Sequence, residues 1–440
     1  MTTRKRYLFA IIDGGGTVPA DTSVIRAMAE RGHDVRVLAD RVLAPDIETT
    51  GAKHVPWDRA PQRANLDPQS VIMKDWDTST PFQAFGRVRD GAMVGPAALF
   101  AADVRAELQR RPADVVVGNF FVFGAQIAAQ AEGVPFAFLV SNLLSFPGSN
   151  TPPLGPGLKP ARGPLGRTRD AALGRVMGRL FDKGLDQLNE VRGANGLEPI
   201  ESVLENFERA DRLLLMTSRA FEYESFTPPP NVRLVGPRLD DPAWAGHWTP
   251  PAGDGPLVLV GMSSTYMDHA GVLQRVASAL GELPVRGLVT TGPSIPPDAI
   301  EAPANVTVVE RAPHSEVLRH ASAVVSHAGH GTVIKALAAG VPVVAIPLGR
   351  DQLDNAARVA HHGAGLRLKP KARADVIARA VRRVLDEPSF AAGAQRLADA
   401  IAAETAEDRA VAELEALASL DSSAADELRN SQSGREAVPS

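Results

Sequence analysis

The sequence predicts an α/β protein with two doubly wound parallel sheets, one in each half of the chain. Three observations predict it. A strand–turn–helix–strand unit opens the chain between Tyr7 and Ala39. A second alternation of short apolar runs with helical patterns begins at Leu257. Two proline-rich stretches, Thr227-Pro228-Pro229-Pro230 and Thr249-Pro250-Pro251-Ala252-Gly253, stand between them. Strands alternating with helices pair in parallel, because each helix crosses back over the sheet. Proline clusters between periodic segments mark a connection. A chain of 440 residues has the length for two domains.

Tyr7–Ile12 reads as a buried strand that stops at Asp13, and Gly14-Gly15-Gly16-Thr17-Val18 is its turn. Pro19 suits the first turn of a helix, where its missing N–H costs nothing. Val24, Ile25 and Met28 give that helix one apolar face, and Gly32 ends it. Asp34–Ala39 is the next strand. Ala113–Gly118 and Pro135–Val140 are further strands, with Gln126–Glu132 in a helix between them. Residues 57–90 are irregular, and residues 145–170 are rich in Pro and Gly. Loops of that length inside a compact domain are functional or mobile. Amphipathic helices are expected over 170–210, then a strand at Arg212–Thr217. The second half offers strands at Leu257–Val260, Gly287–Thr290, Val306–Val309, Ala323–Val325 and Val343–Pro347. A helix is predicted over 403–418. The polar tail beyond Asp421 is expected to be disordered. The domain plan is therefore 1–225, a linker at 226–252, 253–402, a closing helix at 403–420, and a tail at 421–440.

Hydrophobic residues make up 44% and charged residues 22%, which suits a well-cored globular protein. The net charge of −4, with no basic half, argues against nucleic acid as a partner. There is no cysteine, so no disulfide framework or zinc–thiolate site is available. The apolar run Leu8–Ile12 is too short for a signal peptide, and no run approaches a membrane span. A soluble cytoplasmic protein is expected, as a monomer or homodimer with small-molecule partners.

The most informative segment is Ser326-His327-Ala328-Gly329-His330-Gly331-Thr332, followed by Gly340-Val341-Pro342 and Asp351-Gln352-Leu353-Asp354-Asn355. The apolar Ala323-Val324-Val325 leads in, and a helical pattern from Val333 to Ala339 leads out. A small-residue turn between strand and helix suits phosphate. Backbone N–H groups can approach the anion, and the helix N-terminus adds partial positive charge. His327 and Thr332 add side-chain donors. Asp351 and Gln352 reach the same sheet edge, and an acid with an amide reads neighbouring hydroxyls well. Phosphate beside polyol describes a nucleotide-sugar.

At these residues the chain resembles the nucleotide-sugar-dependent glycosyltransferases of the two-Rossmann-domain (GT-B) class, which glycosylate natural products, sterols, flavonoids and macrolides. The resemblance spans roughly residues 5–415, and residues 309–365 carry its specificity. It implies two Rossmann-like domains facing across a cleft, acceptor in the first and donor in the second. It also implies that the closing helix returns to the first domain. His327 matches the histidine on the diphosphate, Gly331 and Thr332 match further phosphate donors, and Asp351 and Gln352 match the pair that holds the sugar. Ser264 matches a hydroxyl residue facing the phosphates, and Arg311 to His314 match the segment framing the base. The donor is a co-substrate, UDP- or TDP-linked, and no other cofactor or metal is implied. Inverting transfer to a hydroxyl of a small apolar acceptor, in antibiotic or other natural-product chemistry, is the expected reaction.

Three positions depart from the family. Lys335 stands where a glutamate often grips the ribose hydroxyls, and lysine cannot accept those bonds. Thr17 stands where many members place a catalytic histidine, and Asn119 where an aspartate orients it. A different base is one explanation: Asp13, which reads equally as a cap on the glycine turn, or Asp75 and Asp77. An acidic acceptor positioned by Thr17 and Asn119 is another, and a silent nucleotide-sugar binder is a third. Asp75-Trp76-Asp77 also fits a metal-binding pattern of another transferase class, but its setting reads as a solvated loop. A dinucleotide site with Asp40 on the ribose is disfavoured, since Pro19 occupies the third glycine's place. Arg311 reads equally as a base-stacking plane and as a solvated charge. Phe120, Phe121, Phe123, Trp76, Phe82, Phe85 and Phe146 cluster in loops expected to face the cleft or to pack in the core.

Overall fold

The computed structural model describes residues 3–419 apart from Leu66, Ser79 and Pro147, so the tail expected beyond Asp421 lies outside the described residues. The first half forms a seven-stranded sheet: β1 (Arg6–Ala10), β2 (Asp34–Ala39), β3 (Lys53–Pro56), β4 (Val115–Asn119), β5 (Phe136–Val140), β6 (Arg212–Leu215) and β7 (Val232–Leu234). Their order is β3-β2-β1-β4-β5-β6-β7, and every pairing is parallel. The second half forms a six-stranded sheet from β8 (Leu257–Gly261), β9 (Arg286–Thr290), β10 (Val306–Val309), β11 (Ala321–Ser326), β12 (Val343–Ala345) and β13 (Gly365–Arg367). Its order is β10-β9-β8-β11-β12-β13, again parallel throughout.

These orders place the functional loops. In each sheet the first strand sits between its successor and a strand added later: β1 between β2 and β4, β8 between β9 and β11. Connections leave such a switch point in opposite directions, opening a crevice at the strands' carboxyl ends. In the first sheet that crevice receives the Gly14–Thr17 turn. In the second it receives the turns after Gly261 and Ser326.

Both sheets are buried on two faces, so their strands read as apolar runs rather than alternations. Tyr7, Leu8, Phe9 and Ala10 are all inaccessible, as are Val258, Leu259 and Val260. The strands missing from the sequence reading are the edge strands β3, β7 and β13, of three or four residues each. Such pieces are too short to show a period. The consequence is a correction: β7 pairs with β6, Leu213 opposite Val232, so the first sheet runs on into the 226–252 segment read as linker. Asn231 anchors this edge by donating from Nδ2 to the carbonyls of Phe207 (2.9 Å) and Ala210 (3.1 Å).

The helix predicted over 403–418 spans Arg409–Leu417, capped by Asp408, whose side chain accepts from Val411 N. It packs Val411, Leu414 and Leu417 into the first domain's core with Tyr7, Phe9, Val24 and Ile25. Tyr7 Oη donates to the Leu414 carbonyl at 3.2 Å. Among the described residues the irregular stretches hold the α-helices Pro81–Val88 and Gly163–Asp182, and the second buries none of its residues. Among the described residues no helix is long and apolar enough to cross a membrane.

Candidate active site

The two glycine turns meet. Gly15 has φ +72° and lies so close to Thr265 of the second domain that a β-carbon would collide with its methyl. A β-carbon on Gly331 would come within 3.8 Å of the Gly16 carbonyl. Around this contact lies a cavity of about 2420 Å³ lined by both domains.

On the second domain's side, the turn after β11 is strained and braced. Ala328 has φ +66°, a conformation that costs a non-glycine residue free energy. Its N–H donates to Ser326 Oγ at 3.2 Å, and its carbonyl accepts from Asn355 Nδ2 at 3.0 Å. The same Asn355 Nδ2 donates to Asp351 Oδ2 at 2.8 Å. One asparagine thus ties the turn after β11 to Asp351. A β-carbon on Gly329 would lie 2.5 Å from His327 Nε2, so any side chain there would displace the His327 ring. Burial, and then the nearby His269 and Arg350, push His327 down to about 3, so its ring is neutral. Thr332 lines the cavity in the first turn of the His330–Ala338 helix.

Asp351 also lines the cavity, and burial raises its carboxyl above the ordinary range against the pull of Asn355. Gln352 is more committed than expected. Its Oε1 accepts from Leu348 N (2.7 Å) and Gly349 N (3.0 Å), so it shapes the loop and keeps only its amide N–H₂, near Met267 sulfur, for a ligand. Ser264 and His314 line the same wall. Burial, and then Lys335, lower His314 to about 4, and its Nε2 lies 3.1 Å from Thr290 Oγ1. Arg311 sits 5.2 Å from the centre of the Trp244 ring and bonds Glu310, so its plane already has a stacking partner. His330 lines the cavity as well, and its Nε2 pairs with Thr217 Oγ1 of the first domain at 2.8 Å, so the ring also ties the domains together.

The first domain supplies the apolar wall. Trp76, Phe82, Phe85, Phe120, Phe121 and Phe146 line the cavity. Phe123 does not; it is fully buried against Phe138 and Phe207.

The family model described as erythromycin biosynthesis protein CIII-like, C-terminal domain, matches residues 274–417. The chain is 35% identical to 4'-demethylrebeccamycin synthase of Lentzea aerocolonigenes, over 94% of this chain and 99% of that protein. It belongs to the antibiotic-pathway glycosyltransferases. It is also 26% identical to the oleandomycin glycosyltransferase of Streptomyces antibioticus, covering 94% of this chain and 91% of the relative. The calicheamicin glycosyltransferase CalG4 shares the fold, with a TM-score of 0.74 at 23% identity over 94% and 98% of the two chains. The fold is GT-B, as the motif implied.

In this glycosyltransferase the positions of the usual base and its partner are differently employed. Thr17 lines the cavity, but its hydroxyl oxygen is buried, turned over Gly14, and without a hydrogen-bond partner. Asn119 lies beneath the cavity, fully buried, and donates from Nδ2 to the Ile12 carbonyl (3.2 Å) and to Asp21 Oδ2 (3.4 Å). It anchors the strand ends and is out of an acceptor's reach. Asp13 is the turn's cap: Oδ1 accepts from Gly15 N at 2.9 Å, and Oδ2 pairs with Arg63 at 2.6 Å. With both oxygens engaged, it is poorly placed as a free base. Asp40 is buried and accepts from Asp13 N at 2.9 Å, which removes it from any dinucleotide role.

Asp75 was read as solvated; it is buried and paired with Arg350 of the second domain. Asp77 is exposed and lies 3.7 Å from Arg87, so the two acids form no joint metal pair. Two contributors escaped the sequence reading altogether. Asp241 and Trp244 come from the connection between the domains and line the cavity with Lys335 and Arg311. No motif marks them, because only the folded connection brings them there.

Proposed function

We propose that this glycosyltransferase moves a sugar from a UDP- or TDP-linked donor to a hydroxyl of a small, largely apolar acceptor, with inversion and without a metal. The observation that carries the reading is the direct approach of the Gly14–Gly16 turn to the Gly331–Thr332 turn within one cavity. A donor whose diphosphate lies on the His330–Ala338 helix N-terminus would present its sugar to Asp351 and to the apolar wall. The acceptor oxygen attacks C1 from that wall, opposite the diphosphate. The hydroxyl gives up its proton to solvent, the new C1–O bond forms as the bond from C1 to the phosphate oxygen breaks, and that bond's electron pair leaves with the diphosphate.

The helix N–H groups, Thr332 and His327 meet that developing charge, which is the role a metal would otherwise fill. An anion beside His327 favours its protonated form, which donates from both ring nitrogens. With Asp13 paired and Thr17 turned inward, the acceptor side supports orientation better than proton abstraction. An acidic hydroxyl, as in a phenol or enol, suits such a site. The same occupancy of Asp13 and Asn119 favours, as the alternative, a silent nucleotide-sugar binder, which turnover of any acceptor excludes.

The test is product stereochemistry from an α-linked donor, read from the anomeric proton coupling, with and without excess EDTA. A β-glycoside at an unchanged rate is expected. An α-glycoside contradicts inversion, and loss of rate in EDTA contradicts metal independence.

A further inference from the structure

Residues 221–224, which follow β6, lie against the C-terminal end of the Gln352–His361 helix of the second domain. Glu222 Oε2 accepts from Arg358 Nε (3.0 Å) and Nη2 (2.7 Å), and both side chains are buried. The guanidinium also lies 4.2 Å from the centre of the Tyr223 ring. These contacts fasten the two segments together and match the Arg358 charge. They leave Glu224, His361 and His362 at the edge of the same junction. His361 Nε2 is 3.3 Å from Glu224 Oε2, and its ring stands edge-on to Tyr223 with centres 5.1 Å apart. His362 directs Nε2 at the Phe221 carbonyl, 3.0 Å away. All three side chains stand outside the cavity.

We infer that Glu224, His361 and His362 form a binding site for a divalent transition-metal ion, zinc in particular, which clamps the first domain to the second. One ligand atom from each lies within 4.8 Å of the others, the one such trio among the described residues. Zinc holds imidazole nitrogens and carboxylate oxygens at about 2.0–2.2 Å in a tetrahedron, which sets its ligands roughly 3.4 Å apart. The His361–Glu224 edge is already 3.3 Å. Closing the rest takes a small turn of the Glu224 side chain, which is 80% exposed and able to make it. The tautomer of His362 fits. Donating Nε2–H to the Phe221 carbonyl leaves the lone pair on Nδ1, and a backbone carbonyl is a usual support for the second ring N–H of a metal-bound histidine. The setting favours a cation too. His361 and His362 end the helix, where the last carbonyls carry partial negative charge. Arg358, one turn earlier, is neutralised by Glu222. Two imidazoles with one carboxylate suit zinc and fail the all-oxygen preference of magnesium and calcium. Solvent supplies the fourth ligand. Because the acid comes from one domain and the imidazoles from the other, the ion bridges the junction.

The test is calorimetric titration of the untagged full chain, stripped with EDTA and dialysed, with zinc chloride and separately with magnesium chloride. One zinc per chain, no magnesium, and a thermal midpoint that rises with zinc concentration are expected. Glu224→Gln and His361→Ala should each weaken zinc binding roughly tenfold to a hundredfold and shrink the thermal rise. Cobalt(II) in place of zinc gives a readout that needs no variant: visible d–d absorption that zinc abolishes. Absence of zinc binding, equal binding of magnesium, or zinc affinity unchanged in both variants overturns the inference. The site stands apart from the donor reading. Turnover at moderate temperature should be equal for the stripped and the zinc-loaded chain, so the EDTA comparison still reports on the reaction alone.

Discussion

Asp75 and Arg350 form a two-pronged ion pair across the cleft, with Nε 2.6 Å from Oδ2 and Nη2 2.8 Å from Oδ1. Arg350 also donates from Nη1 to Thr265 Oγ1 at 3.2 Å, and it directly precedes Asp351 with φ +54°. The long loop of the first domain is thereby tied to the residue that directly precedes Asp351. Trp76 adds a second tie, edge-on to Tyr266 with ring centres 5.6 Å apart. The two walls of the cavity are thus held in one register.

Breaking this tie should cost stability and rate together. Asp75→Asn leaves a largely covered guanidinium without its counter-charge, a loss of about 2–3 kcal/mol, less than for a fully buried pair because Arg350 is partly exposed. Burial opposes the Asp75 charge, but Arg350 prevails and holds the carboxyl below the usual range. The pair's stabilisation is therefore complete above the unfolded carboxylate value near pH 4 and disappears as pH falls through the lower folded value. Urea unfolding of wild type and variant at pH 7 and at low pH checks this: a gap at pH 7 that closes in acid is expected. Equal stability at pH 7 contradicts it.

Asp21 should behave in the opposite sense. It is fully buried, its Oδ1 has no partner, and burial raises its carboxyl to about 8 against a weaker pull from Asn119. The folded protein keeps this proton where the unfolded chain releases it. Stability from this group is full below pH 4 and is lost as pH rises toward 8, by several kcal/mol on the order of 1.4 per pH unit. Asp21→Asn removes that loss and offers an amide proton to the unpartnered Asn119 Oδ1. The variant should gain on the wild type steadily between pH 4 and pH 8 in thermal unfolding. A constant difference across that window would falsify the assignment.

Asp13→Asn separates a cap from a base. As cap and partner of the covered Arg63, Asp13 should cost about 2–4 kcal/mol of stability when neutralised. The turnover number should fall less than about tenfold, whereas loss of a general base costs about a hundredfold to ten-thousandfold. Unfolding and kcat measured on one preparation distinguish the two. Intact stability with a thousandfold slower enzyme would restore Asp13 as the base.

The donor half was legible because its chemistry is local. His327, Gly329, Gly331 and Thr332 lie within six consecutive positions, and Asp351 and Asn355 within one helical turn and its cap. The strands were legible because two-sided burial writes them as unbroken apolar runs, as in Tyr7–Ala10. The rest depends on contacts distant in sequence. Asp75 finds Arg350, His330 finds Thr217, and Asp241 finds Lys335 only after the domains close. β7 is three residues at an edge, defined by its partner β6 and by Asn231 rather than by its own pattern. Asn119 looked like a site residue from its place after a strand, and only its burial under the turn shows otherwise.

His327→Ala should weaken nucleotide binding by roughly tenfold to a hundredfold, the worth of hydrogen bonding to a charged group. Calorimetry with TDP and UDP reads it. Full affinity in the variant removes His327 from the phosphate site.

The most direct measurement of all is mass-spectrometric turnover. Wild type and His327→Ala are each offered UDP-glucose and TDP-glucose with a mixed panel of phenolic, steroidal and macrolide acceptors. One hexose added to an acceptor by the wild type, and not by His327→Ala, is the expected result. Tight nucleotide binding without any product across the panel, or product formed equally by the variant, would contradict sugar transfer at this site.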